Sequence, residues 1–166
     1  MMKKLTFATA MLTASIALAD EDSAFVEFQV LKPEVAQQMV DAALAACRDM
    51  GYQVGVTVVD RFGQPQVFIR DRFAGAHVYE TSRRKAWTAV SFRTNTSELA
   101  VSTQAGTISS GIRHLTEALP LGGGLVVYEG DGSIVAGIGV SGAPGPDIDD
   151  TCAQAGIDAV EDQIAF

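Results

Sequence analysis

The sequence predicts an α+β sandwich built around an antiparallel sheet. Two stretches read as β-hairpins, and stretches with helical spacing lie before, between and after them, an order that packs helices against a sheet. The length, 166 residues, favours one domain.

The chain opens on a segment that is not part of this fold. Lys3 and Lys4 give a positive start, residues 5–18 are largely apolar, and Ala17-Leu18-Ala19 is a small-x-small site before Asp20. These are the three regions of a secretory signal peptide over residues 1–19, too short and wrongly flanked for a membrane span. Residues 20–32 form a leading segment, acidic and then mixed. The domain is expected over residues 33–166, starting with a helix at Pro33, whose fixed φ suits the first helical position. Val35, Met39, Ala42, Ala43, Ala46, Cys47 and Met50 share one stripe, and Gly51 is the stop signal.

YQVGVTVVD (52–60) is rich in β-branched residues, RFGQP is a turn, and QVFIR (66–70) returns as the second strand. Residues 76–92 read as a helix and 96–103 as a shorter one, whereas GIRHLTEALP (111–120) fits neither pattern. A second hairpin follows, LVVY (125–128) and SIVAGIGVSG (133–142), turning at EGDG. Residues 147–166 close the chain as one helix with Ile148, Cys152, Ala155, Ala159 and Phe166 on a stripe.

Charge narrows the choice of partners. Loss of Lys3 and Lys4 leaves ten basic residues against twenty acids, a net charge of −10. Such a chain repels nucleic acid and anionic lipid. No later stretch reaches about 18 uninterrupted apolar residues, so no membrane span is expected. Six of the ten basic residues fall between positions 70 and 93, either as a solvated helix face or as an anion site.

The cysteines, Cys47 and Cys152, fit no zinc spacing. Each sits on the apolar stripe of a terminal helix. If both helices pack on one sheet face the two can form a disulfide, as an exported protein permits; the alternative is a pair of buried thiols.

The stretch RDRFAGAHVYETSRRKAW (70–87) holds the candidate chemistry. At about 100° per residue, His77, Thr81, Arg84, Thr88 and Ser91 share a polar stripe. Val78, Ser82, Ala86, Ala89 and Val90 form a small-residue face suited to lying on the sheet. An imidazole, a hydroxyl and a fixed cation can hold a carboxylate or a metal-centred ring with acidic side groups. The same stripe also reads as a plain exposed helix face.

LGGGLVV (121–127) places Gly122, Gly123 and Gly124 before a strand, whereas phosphate loops precede a helix. Close backbone approach, to a ligand or a neighbouring subunit, is the expectation. Gly137 and Gly139 flatten one face of their strand, chiefly for helix packing. His114, beside Arg113, has no acid or cysteine at useful spacing and reads as a surface histidine. No Ser-His-Asp order, catalytic carboxylate pair or HExxH appears.

Taken in order, VTVVDRFGQPQVFIRD, SRRKAWTAVSFRTNTSEL and LGGGLVVYEGDGSIVAGIGVSGAPGPDIDDTCAQAGIDAV resemble the GlcG/HbpS family, which includes the C-terminal domain of PduO-type corrinoid proteins. AGAHVYETSRRKAWTA resembles the variant with an A-G-P-H-T loop, Ala76 replacing its proline and Val78 its threonine. The resemblance implies a three-layer α/β/α domain with an antiparallel sheet, and homo-oligomers, dimers or octamers. It implies haem binding, with a corrinoid as the alternative tetrapyrrole.

The leading expectation is therefore a periplasmic or secreted haem-binding protein. His77 is the expected iron ligand, Arg84 or Arg70 the propionate partner, and Thr81 and Gly122–Gly124 complete the cofactor site. The competing readings are a small-carboxylate-binding accessory protein and an enzyme using His77 as general base on a small organic acid.

Overall fold

The computed structural model describes residues 24–165. The expected signal peptide, the first residues of the leading segment and Phe166 lie outside the described residues.

Helix α1 (Pro33–Asp49) begins with Pro33 in its first turn, as expected. Strands β1 (Gly55–Asp60) and β2 (Pro65–Arg70) form the first hairpin. Its turn follows from local chemistry. The Asp60 carboxylate accepts from the Phe62 and Gln64 N–H groups, both at 2.9 Å, and Gly63 adopts φ +81°. Helix α2 (Val78–Phe92) is followed by α3 (Thr96–Ser102) and a short 3₁₀ turn (Ser110–His114). Strands β3 (Gly124–Tyr128) and β4 (Ile134–Ser141) make the second hairpin, and α4 (Pro146–Asp158) and α5 (Glu161–Ile164) end the fold.

The four strands form one antiparallel sheet in the order β2-β1-β4-β3. Strand alternation sorts its two faces. Val56, Val58, Ile138 and Val140 join α1 and α4 in the main core, with Met39, Val40 and Ala43 from α1. On the other face Val59 packs on Ala86 and Val90 of α2. The result is the three-layer α/β/α domain that the resemblance implies.

Gly137 and Gly139 do what the sequence assigns to them. A Cβ on Gly139 would run into the Ser82 carbonyl, and one on Gly137 would sit 2.9 Å from the Ala86 carbonyl. Their bare strand lets α2 lie close across the sheet.

Cys47 and Cys152 form a disulfide between α1 and α4, with a Cα–Cα distance of 5.5 Å. It spans 105 residues of sequence, for which loop entropy gives about 4–5 kcal/mol of stabilisation as an upper figure.

Three expectations need correction. The closing helix is not continuous: α4 stops at Asp158, buried Val160 turns the chain, and α5 docks by an Ile164 carbonyl that accepts from Gly130 N–H at 2.9 Å. Strand β1 starts at Gly55 rather than residue 52. The first helical residue of α2 is Val78, so His77 caps that helix instead of lying inside it.

Candidate functional site

Helix α2 crosses the sheet from the Ser141 end of β4 to its Ile134 end, and the site lies at the first of these. The turn leading to it is anchored from below. Asp71, almost fully buried, accepts from Arg48 Nε at 2.6 Å and from the Arg72 N–H at 2.8 Å. The Arg48 hydrogen bond is the main cause that holds the Asp71 carboxyl below its ordinary value. The Asp71 carbonyl then accepts from Ala74 N–H at 3.1 Å, and Gly75 lets the His77 ring fold over it, since a Cβ there would lie 2.7 Å from Nδ1.

His77 emerges exposed on the rim of a groove of about 500 Å³. Among the described residues no group bonds to its ring nitrogens. Its carbonyl is fixed by the Thr81 N–H at 3.1 Å. Thr81 Oγ1 donates to Ser141 Oγ at 2.7 Å and lies 3.0 Å from the His77 carbonyl oxygen. Leu121, Ala143, Pro144 and Pro146 supply apolar wall.

The floor is charged. Lys85 and Asp149 both line the groove and are almost fully buried. Lys85 Nζ donates to Asp149 Oδ2 at 2.7 Å and to the Val140 carbonyl at 2.9 Å. Asp149 Oδ1 accepts from Ala143 N–H at 3.1 Å. Burial pushes the Asp149 carboxyl above its ordinary value, against the pull of the Lys85 ammonium. Removing either partner alone would strand a charge in the interior at a cost of about 3–5 kcal/mol.

The sequence missed this pair, although a signal was present. Lys85 falls three residues after Ser82 and four before Ala89, on the small-residue face of α2. Asp149 is on the buried side of α4 with Cys152 and Ala153.

The expected polar stripe breaks up. His77 and Thr81 share the groove, but Arg84 does not line it. Its guanidinium donates to the Glu117 and Ala118 carbonyls at 3.3 and 2.9 Å, tying the 115–120 segment to α2. Thr88 is buried, receiving the Leu119 N–H at 2.9 Å. Arg70 is exposed, and its register partner Gly55 faces Val78 at the start of α2, so Arg70 points to the same side of the sheet as that helix end.

The three glycines serve close approach within the chain. Added Cβ atoms would meet Pro146 at Gly122, Lys85 Nζ and the Val140 carbonyl at Gly123, and the Lys85 carbonyl at Gly124. Gly123 N–H donates to Asp150, and Gly124 N–H to Thr96 Oγ1 at 2.8 Å. Within the chain the close approach is by α2, α3 and α4, and it seats the residues that form the groove floor. His114 is exposed at the end of the 3₁₀ turn, away from the groove.

Known proteins repeat this architecture. A Streptomyces reticuli HbpS carrying two glutamate-to-aspartate substitutions is 36% identical, with a TM-score of 0.78, over 89% of this chain and 99% of that one. Klebsiella pneumoniae ORFY is 27% identical, with a TM-score of 0.79, over 82% and 94% of the two chains. A structure described as a PduOC:Heme complex is 32% identical, with a TM-score of 0.74, over 78% and 94%. The corrinoid adenosyltransferase PduO of Salmonella typhimurium is 34% identical over 107 residues, 63% of this chain. This match spans about a third of that protein's length, 32%. Residues 31–158, from the lead-in of α1 to the end of α4, match the family described as "Haem degrading protein HbpS-like", and the chain belongs to that family.

Proposed function

We propose that this protein is an exported haem-binding protein whose His77 imidazole would hold the iron. The observation that carries the reading is an exposed imidazole with no partner among the described residues, on the rim of a groove in a fold shared with a haem complex at 32% identity. The residues fit the group. Leu121, Pro144 and Pro146 give apolar wall for one face of a flat ring. Arg70, exposed on the α2 side of the sheet, is the propionate partner, because Arg84 is committed to two carbonyls. Thr81, through Ser141, sets the His77 end of the helix, and Gly122–Gly124 act indirectly by seating Lys85 and Asp149. Bound haem supplies a redox-active iron.

Export is supported by the residue 1–19 pattern and by the Cys47–Cys152 disulfide, a bond that persists in oxidising compartments such as the periplasm. A homo-oligomer, dimer or octamer, is part of the same reading, supported by bare apolar side chains such as Ile108 and Val101. Among the described residues no helix is long and apolar enough to cross a membrane.

A corrinoid is the second tetrapyrrole, supported by the name of the PduO relatives and by an imidazole free to bind a metal. A small-carboxylate reading draws on the Thr81, Ser141 and Lys85 donors of the groove. Protein purified from its native host decides among these. A Soret band with haem released on denaturation is expected. A colourless preparation that releases a small acid, or cobalt in place of iron, would overturn haem.

A further inference from the structure

The far end of α2 holds a different surface. The β1–β2 turn, the β3–β4 turn and the last residues of α2 enclose a groove of about 720 Å³ lined by Phe28, Arg61, Phe62, Arg93, Tyr128 and Ser133, among others. Arg61 lies over the Phe28 ring at 4.0 Å, and Phe28 meets Phe62 edge-on at 5.5 Å. None of the described residues lining the groove is acidic, in a chain with 20 acidic residues.

The basic residues explain why this matters. The described ion pairs engage Arg48, Arg72, Arg83, Arg84 and Lys85; of the cations outside them, Lys32, Arg61, Arg70, Arg93 and Arg113, two meet here, Arg61 and Arg93. Both line this groove. Arg93 also holds φ +54°, the only non-glycine residue with positive φ among those described.

We infer that this groove binds a small flat aromatic acid carrying two carboxylates. The exposed rings of Phe62 and Tyr128 offer stacking faces. The two guanidinium groups offer one planar, two-pronged donor for each carboxylate. Among the described residues lining the groove there is no histidine, cysteine or methionine, so the chemistry present suits the organic acid better than a metal. This site is separate from the His77 groove and does not rest on haem binding.

Calorimetric titration of the whole mature protein with naphthalene-2,6-dicarboxylate tests it, beside the uncharged 2,6-dimethanol, aliphatic adipate and a glutamate-rich peptide. The dicarboxylate is expected to bind at least tenfold more tightly than the other three. The double variant Arg61→Gln/Arg93→Gln is expected to lose at least tenfold while keeping a cooperative melting transition, and His77→Ala to bind as wild type does. Trp87, the only tryptophan of the chain, stands against Gly63 of the β1–β2 turn and gives a fluorescence readout at this end. Equal affinity in wild type and the double variant, or tighter binding of the uncharged compound, adipate or the peptide, would overturn the assignment.

Discussion

The two ends of helix α2 use charge in opposite ways. At the His77 end the carboxylates are buried and paired: Lys85 meets Asp149 at 2.7 Å with both buried, and buried Asp71 meets exposed Arg48 at 2.6 Å beneath the turn. What remains open there is an imidazole, with Arg70 exposed on the same side of the sheet. At the Arg93 end two cations stay outside the ion pairs, Arg61 half-buried over the Phe28 ring and Arg93 exposed. The first end is built like an interior and fixes one geometry for a ligand. The second is built like a recognition surface, where solvated guanidinium groups add little to stability.

Stability measurements can break this contrast, and the largest effect falls on the groove floor. Lys85→Met leaves Asp149 buried without its cation and should cost about 3–5 kcal/mol in urea unfolding. Lys85→Met combined with Asp149→Leu should recover most of that loss, because an apolar pair no longer strands a charge. A single variant as stable as wild type would mean that the pair is solvated.

Asp71→Asn is expected to rank next, lowering Tm by a few degrees through the turn that carries His77. The sign of its pH dependence follows from the lowered folded-state pKa. The Asp71 contribution is complete above the unfolded carboxyl value of about 3.9 and is lost as pH falls through the folded value. Wild type should therefore lose stability below about pH 4 by a component that Asp71→Asn lacks. Parallel acid-unfolding curves for the two proteins would contradict this.

At the other end, Arg93→Gln should shift stability by less than about 0.5 kcal/mol, as an exposed cation without an ion pair. A loss comparable to that of Lys85→Met would erase the distinction between the two ends.

Much of the fold was legible because its signals are local. Asp60-Arg61-Phe62-Gly63 carries its own turn chemistry, and the β-branched run before it gives the strand. The cysteine stripes on α1 and α4 were enough to anticipate a disulfide once both helices shared a sheet face. The break between α4 and α5 left no glycine or proline signal. Val160 is buried by tertiary packing, and the Ile164 carbonyl finds its donor in Gly130, far back in the chain.

The site was legible only in part for the same reason. His77 and Thr81 lie one turn apart and meet as helical spacing requires. Arg84 was assigned to the same stripe because its acceptors, the Glu117 and Ala118 carbonyls, belong to a segment without a clear periodic pattern. Lys85 was passed over because a lysine reads as solvated unless its partner is seen, and that partner, Asp149, lies 64 residues away.

The most direct test of the account is ferric-haem titration of wild type, His77→Ala and Arg61→Gln/Arg93→Gln, followed by absorption spectroscopy. His77→Ala should change stability by less than about 0.5 kcal/mol, so each variant can be compared in its folded state. Wild type and the arginine variant should give the same Soret band of imidazole-ligated haem with the same affinity, and His77→Ala should lose that band. An identical spectrum and affinity in His77→Ala would contradict the assignment of the iron to the His77 end of α2.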